Sequence, residues 1–268
     1  KMAAKITRDN IGEAFLELTK YHRNYMAPHI SNKEREPQYK EYREVKQYVL
    51  PSTNTKNMTP TFDALIHRRS IREYTTDDLK PHQLSKILWA AQGITARVKG
   101  VELRAVGSAG ALHPIETYVV INKAGDYPQG LYHYNVRAHA LDLLIQDQFQ
   151  IGLVNACMGQ EFVGDAPICF IWTGVFNRIT WRFAQRAYRY VYLECGQILQ
   201  NATIACQALD IGCCEIGAFY DDEINLLLGL EGLDETAICI MTAGMAKNSN
   251  FPVTPEVIPE KVKVERQS

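Results

Sequence analysis

The sequence predicts a mixed α+β chain, and three observations carry that expectation. Pro81 opens a run in which Leu84, Ile87, Leu88 and Ala91 recur at helical spacing until Gly93 stops it. Three short apolar runs, 117–122, 131–135 and 140–145, follow as strands, and the last two are compatible with a hairpin through Asn135-Val136-Arg137-Ala138. A long helix over 180–209 is apolar around much of its circumference through Val191, Leu193, Ile198, Leu199, Ala202 and Ala205. Such a helix belongs in a core or across a subunit boundary.

From the start of the chain, residues 10–26 read as a helix with Ile11, Phe15 and Leu18 on one face and Tyr21-His22 following. The polar stretch 27–60, interrupted by Pro37 and Pro51, reads as an arm draped over the main body rather than a domain. Thr61 to His67 reads as a short helix, with Thr59 a candidate N-cap and Pro60 in the first turn. After the hairpin come a helix over 149–159, a strand over 167–174 and the long helix, which Gly212 is expected to end. A helix over 221–228 and a last strand over 237–241 follow, and residues 246–268, with Pro252, Pro255 and Pro259, read as an extended tail.

Composition excludes several function classes. With 46% apolar and 22% charged residues in 268, the chain has the makeup of a soluble globular protein with one substantial core. A net charge of -1 gives no general drive toward nucleic acid or anionic membranes. No segment approaches the roughly 18 apolar residues of a membrane span, and the N-terminus lacks a signal-like apolar region, so cytoplasm is the expected location. The seven cysteines, 157, 169, 195, 206, 213, 214 and 239, lack paired C-x-x-C spacing. They read as buried thiols in a reducing compartment, with no metal site expected. The vicinal pair Cys213-Cys214 reads first as packed thiols on a strand, with redox activity as the alternative.

Three segments carry candidate chemistry. Arg68-Arg69-Ser70-Ile71-Arg72 packs three guanidinium groups and a hydroxyl into five residues, a donor set suited to phosphate. The plain alternative is a solvated helix end complementing the C-terminal dipole. Gly107-Ser108-Ala109-Gly110-Ala111-Leu112-His113-Pro114 has side chains small enough for backbone N–H groups to approach a ligand, or simply to make a tight turn. Glu215-Ile216-Gly217-Ala218-Phe219 follows a strand-like stretch and either exposes backbone donors or makes a turn. A dinucleotide fingerprint, a Walker loop, H-E-x-x-H and a nucleophile elbow are all missing. His113, His133 and His139 read as structural, and Glu194 on the long helix as the partner of Arg186 or Arg189.

In this order and spacing the segments resemble the FMN-dependent nitroreductase family, most closely its SagB-type dehydrogenase branch. Gly130-Leu131-Tyr132-His133-Tyr134, Arg186-Ala187-Tyr188-Arg189-Tyr190 and Glu194-Cys195-Gly196-Gln197 add to the likeness, which covers residues 60 to 246. The resemblance implies a nitroreductase-like fold, a mostly antiparallel sheet flanked by helices, in a homodimer. The chain then divides into an N-terminal helix and extended arm over 1–59, the FMN-binding nitroreductase-like domain implied over 60–246, and an extended tail over 247–268. Arg68, Arg69 and Ser70 match positions that hold the FMN phosphate and ribityl chain, and Arg72 a cation at the flavin N1/O2 edge. Ser108, Ala109, Gly110 and Ala111 match a loop reaching the flavin of the partner subunit. Ile216, Gly217 and Ala218 match a segment whose backbone donors, at Gly217 and Ala218, aim at N5 and O4. Arg72 and Gly217 are thus the expected catalytic positions.

The activity so implied is hydride transfer from NADH or NADPH to an electron-poor small molecule, a nitroaromatic or a quinone, by alternating exchange in one pocket. Two other readings stand beside it: a SagB-type dehydrogenase acting on a peptide or azoline heterocycle, and a flavin-binding module without turnover. Arg182-Phe183 stands where azoline oxidases carry Lys-Tyr, and Phe exchanges no proton, which weakens the first of these. His113 also departs from the branch, which usually has Tyr there.

Overall fold

A seven-stranded sheet organises the molecule, seen in a computed structural model that describes residues 6–7, 11–19, 36–52, 60–232 and 234–248. Its strands are β1 (Gln47–Val49), β4 (Ile115–Ile121), β5 (Gly130–Asn135), β6 (Ala140–Ile145), β7 (Ile168–Val175), β8 (Gly212–Ile216) and β9 (Glu235–Gly244). They lie in the order β1-β6-β5-β4-β7-β9-β8, and every neighbouring pair is antiparallel. The central strands β4 and β7 are buried along their whole length. Their β-branched and aromatic residues suit this, because alternate side chains enter two separate cores. Val119, Ile121, Phe170 and Trp172 enter one, and Tyr118, Val120, Cys169 and Ile171 the other.

Helices close both faces. On the first face lie α3 (Pro81–Gln92) and α7 (Ala187–Ala208), contributing Leu84, Ile87, Leu88, Val191, Ile198 and Ala202. On the second lie α4 (Gln150–Ala156), α5 (Phe162–Asp165) and α8 (Asp221–Leu228), contributing Leu153, Val163, Ile224 and Leu228. The expected bounds of α3 and α8 are those observed. Of the predicted helix over 10–26, the described part is α1 (Ile11–Leu18). Thr59, Tyr21-His22 and the tail beyond residue 248 lie outside the described residues.

Other boundaries differ from expectation for identifiable reasons. The long helix is broken: α6 (Asn177–Phe183) ends, three residues make a 3-10 turn, and only then does α7 begin. Ala184 sits at the break with φ 46°, a conformation costing a non-glycine residue on the order of 1–3 kcal/mol. Neither Gly nor Pro marks the break, and the apolar periodicity runs through it. Gly212 does not end the helix, which stops at Ala208, but opens β8. The helix over 149–159 is shorter, ending at Ala156 before Met158 and Gly159 turn to positive φ. The last strand is longer than 237–241, and a hairpin of β2 (Ile94–Val98) and β3 (Val101–Arg104) lies where no strand was expected. Both its strands are largely exposed, so no buried apolar alternation announced them.

Part of the polar arm is built into the body. β1 pairs with β6, and Gln47 donates to the Asp142 carboxylate at 2.6 Å. Lys40 donates to the Tyr118 hydroxyl at 2.6 Å and pairs with the Glu235 carboxylate, while Tyr39 lies under the Arg137 guanidinium at 4.1 Å. Beneath the arm, Glu116 is fully buried between His133 Nε2 at 2.8 Å and Arg178 Nη2 at 2.7 Å. Burial opposes its ionisation, but the His133 hydrogen bond and the Arg178 guanidinium outweigh that and hold the carboxyl at about 2.

A carboxylate depressed in the fold stabilises it above its ordinary value near 4.5, and that contribution is lost as pH falls through about 2. Glu116→Ala leaves Arg178 buried without its counter-charge and should cost about 3–5 kcal/mol. Urea titrations at neutral pH measure the loss. The same titrations between pH 4.5 and 2 should show the variant with a flatter dependence than the parent; equal slopes refute the assignment.

Candidate functional site

The Arg68–Arg72 segment leaves the end of α2 (Thr61–His67) and meets the outer edge of β8 at Cys213. Ser70 bridges Cys213 in parallel, and the Ile71 N–H donates to the Cys213 carbonyl at 2.8 Å. The close approach requires a glycine at 212, since a Cβ there would stand 2.8 Å from Ile71 Cγ2. Just after it, residues 73–75 pair with the chain after β9, through the Tyr74–Ala246 bridge and the Lys247 N–H donating to the Glu73 carbonyl at 3.0 Å.

Extended backbone sorts these side chains by alternation. Arg69 and Ile71 line a cavity of about 330 Å³ between α2 and the end of α7, with Asp63, His67 and Gln207. Arg69 Nη1 donates to the Ile66 and Arg68 carbonyls at 3.0 and 2.8 Å, so this guanidinium caps α2. Arg68, Ser70 and Arg72 alternate to the opposite side, where Ser70 and Arg72 are exposed. None of these three side chains has a hydrogen bond or ion pair among the described residues. Arg72 lies 5.8 Å from the centre of the Phe162 ring on α5. Burial pushes the neighbouring Cys214 thiol up, and Arg72 partly opposes that.

Beyond the end of β8 the chain turns through Gly217 and Ala218, both exposed. Their N–H groups have no partner among the described residues, and nothing lies within 4 Å of where a Gly217 Cβ would be. Gln160 fixes the turn from α5's side by donating to the Ala218 carbonyl at 3.1 Å. One edge of the sheet therefore gathers two free guanidinium groups, a free hydroxyl and two open backbone donors. Those donors fit the phosphate, polyol and ring-edge acceptors of a flavin mononucleotide.

The small-residue turn is elsewhere. Ala109–Ala111 form a short 3-10 turn whose Ser108 accepts from the His113 N–H at 2.8 Å and lies against Glu194. Glu194 and Gln207, which lines the cavity beside Arg69, are 13 positions apart on α7, so the two regions sit about 20 Å apart along its axis. The described chain does not bring Ser108–Ala111 to Arg68, Ser70 and Arg72. The outer face of α7 beside that turn exposes Tyr192 and Leu193, at 51% and 63%.

Glu194 has different neighbours from those expected. Arg186 and Arg189 reach back to the carbonyl and hydroxyl of Thr19. Eight and five positions from Glu194, neither has the three- or four-residue spacing of a helical pair. Glu194 instead lies in a buried cluster with Ser108, Arg104, Arg178 and His113, whose Nδ1 is 4.0 Å away. Burial, with Arg104 and Arg178 adding to it, lowers His113 to about 3, so the imidazole is neutral and the contact is not an ion pair. Burial raises Glu194 to about 7, against the Ser108 hydrogen bond. His133, expected to be structural, is held by Glu116. Lys247, not singled out from the sequence, is exposed and its N–H donates to the Glu73 carbonyl just past the segment, a pairing that spacing alone does not reveal.

Cys213 and Cys214 point to opposite sides of β8, Cys213 into the first core. Among the described residues no cluster could hold a metal, and no helix is long and apolar enough to cross a membrane.

Residues 65–245 match the profile of the nitroreductase family. The chain belongs to that family. A nitroreductase-family protein of Methanocaldococcus jannaschii is 35% identical over 182 residues, 68% of this chain and 89% of that one. Trifolitoxin operon protein TfxC of Rhizobium leguminosarum bv. trifolii is 26% identical over 196 residues, and this chain spans 54% of its length. A nitroreductase-family crystal structure from Anabaena variabilis is 26% identical with a TM-score of 0.73, covering 96% of this chain, which spans only 51% of that one. The likeness to TfxC fits the SagB-type branch.

A carboxyl raised in the fold stabilises it below its ordinary value of 4.5, and that contribution is lost as pH rises through about 7. Glu194→Gln should remove this fall. Thermal unfolding from pH 4.5 to 8 measures it, and a variant that loses stability as steeply as the parent would show that another group is responsible.

Proposed function

We propose that the protein is an FMN-dependent oxidoreductase that passes hydride from NADH or NADPH to an electron-poor small molecule, by ping-pong exchange. The observation that carries this is the row of unpartnered donors along the edge of β8 in a chain of this family: Arg68, Ser70, Arg72 and the N–H groups of Gly217 and Ala218. When bound, FMN supplies the atom that accepts and releases hydride. Arg68 and Ser70 hold the phosphate and polyol chain, Arg69 orders the helix end beside them, and Arg72 offers positive charge to the ring edge. Gly217 and Ala218 donate backbone hydrogen bonds to the ring.

Ser108–Ala111 lie too far along α7 to join this edge in their own chain, so in this reading they complete the site of a partner subunit in a homodimer. Exposed Tyr192 and Leu193 beside that turn are the apolar surface such an interface would cover. The likeness to TfxC supports a second reading, a SagB-type dehydrogenase acting on a peptide or azoline. Phe183 speaks against azoline oxidation, since a protein base worth roughly 10²-fold or more in rate has no occupant there.

The purified protein should be yellow, release FMN on denaturation, scatter light as a dimer, and bleach under anaerobic NADPH before passing electrons to a quinone or nitroaromatic. Colourless protein that takes up no added FMN sinks the proposal, and aromatisation of an azoline peptide with no acceptor reduced would favour the second reading.

Arg68→Ala and Arg72→Ala should separate binding from redox tuning. A lost charge-assisted hydrogen bond of about 1.5–3 kcal/mol weakens FMN binding about tenfold or more in Arg68→Ala. Arg72→Ala should chiefly lower the flavin potential and slow reduction. Equilibrium dialysis and potentiometric titration read the two, and matching effects from both would contradict the division of roles.

A further inference from the structure

Arg182 is an exposed guanidinium in the last turn of α6 that nothing in the described structure neutralises. It makes no ion pair and no hydrogen bond among the described residues, not even to the free carbonyls ending its own helix. It is nevertheless held in place. Its tip packs against Gly110, where a Cβ would stand 2.6 Å from Nη1 and 3.1 Å from Cζ, and Gly110 itself has φ +67°, a conformation that favours glycine. Its other neighbour is the Phe183 ring, with centroid 5.3 Å from the guanidinium carbon, and Phe183 is itself fixed edge-on against Tyr190 at 5.1 Å. The strained Ala184 directly after Phe183 sets where α6 stops, and hence where both side chains stand.

We propose that Arg182 and Phe183 recognise the electron acceptor, and that the acceptor is an aromatic molecule carrying a carboxylate. This rests on the reading that Gly110 and its turn reach the cofactor bound by the partner subunit, which puts a cation and an aromatic face at the mouth of that site. A guanidinium pairs bidentately with a carboxylate, and a ring bonded directly to that carboxylate lies at the right remove to pack on Phe183. A nicotinamide nucleotide fits less well, because its phosphates are separated from the reacting ring by a ribose. The acceptor's charge is thus read by a residue that stands where azoline oxidases carry a lysine, while the aromatic neighbour replaces their tyrosine.

Calorimetric titration of the FMN-loaded protein with benzoate and with benzamide tests this directly. The parent should prefer benzoate, and Arg182→Gln should reduce that preference about tenfold or more, with Arg182→Lys between the two. With NADH as donor, the ratio of kcat/KM for 4-nitrobenzoate to that for 4-nitrobenzamide should fall in parallel. A parent without preference for benzoate, or a ratio that Arg182→Gln does not move, overturns the proposal. So does a rise in KM for NADPH relative to NADH with the acceptor ratio unchanged, which would put the guanidinium on the nucleotide. Loss of FMN from Arg182→Gln overturns it too, by placing the group on the cofactor. Protein that binds no FMN in any variant instead fails the oxidoreductase reading itself.

Discussion

The pairing of one short segment with the edge of β8 sets where the Arg68–Arg72 donors stand. Ser70 and Ile71 join Cys213 by backbone bonds, and the missing side chain at Gly212 lets them come that close. Once the segment is fixed, alternation does the rest: Arg69 turns inward to cap α2, while Arg68, Ser70 and Arg72 are left with their donors free. Arg72 reaches from this segment to the Phe162 ring on α5, next to the Gln160 that holds the turn at Gly217 and Ala218, residues remote from it in sequence. Backbone hydrogen bonds therefore do the positioning, and the side chains remain available for a ligand.

A second constraint lies under the arm and behind the Ser108 turn. Arg178 ties Glu116 to the His113 carbonyl, at 2.7 and 2.8 Å, and so links the central strand to the small-residue turn. Buried charges of this kind are costly unless each has its counter-charge, so the cluster tolerates few alternative arrangements. The turn that is proposed to reach across to a partner is accordingly braced from behind. Glu194, packed against the same turn, has its carboxyl raised by burial to about 7 and so changes charge near neutrality.

Much of the fold was legible because its strongest elements are locally consistent. Pro81 and Gly93 bracket α3, Asp221 to Leu228 reads as a helix on its own, and β4 and β7 are apolar runs bounded by turn residues. Elements set by tertiary contact were not legible. The exposed hairpin of β2 and β3 has no buried stripe, β1 is three residues anchored by a partner strand, and the break at Ala184 has neither Gly nor Pro to announce it. The site shows the same division. Residue types marked Arg68–Arg72 and Gly217–Ala218, but alternation between Arg69 and its neighbours, Lys247 beside Glu73 and the company of Glu194 all depend on pairings that sequence spacing does not contain.

The same edge pairing has a consequence for solubility. β8 is an outermost strand of the sheet, and an outermost strand offers unpaired N–H and carbonyl groups to any other extended chain. The segment from Ser70 occupies that edge at Cys213, and the charged side chains flanking it make the remainder a poor template for a further strand. A stretch whose composition suits a phosphate thus also keeps the sheet from growing. Weakening its hold on β8 would expose the sheet to self-association as well as disturb the donors.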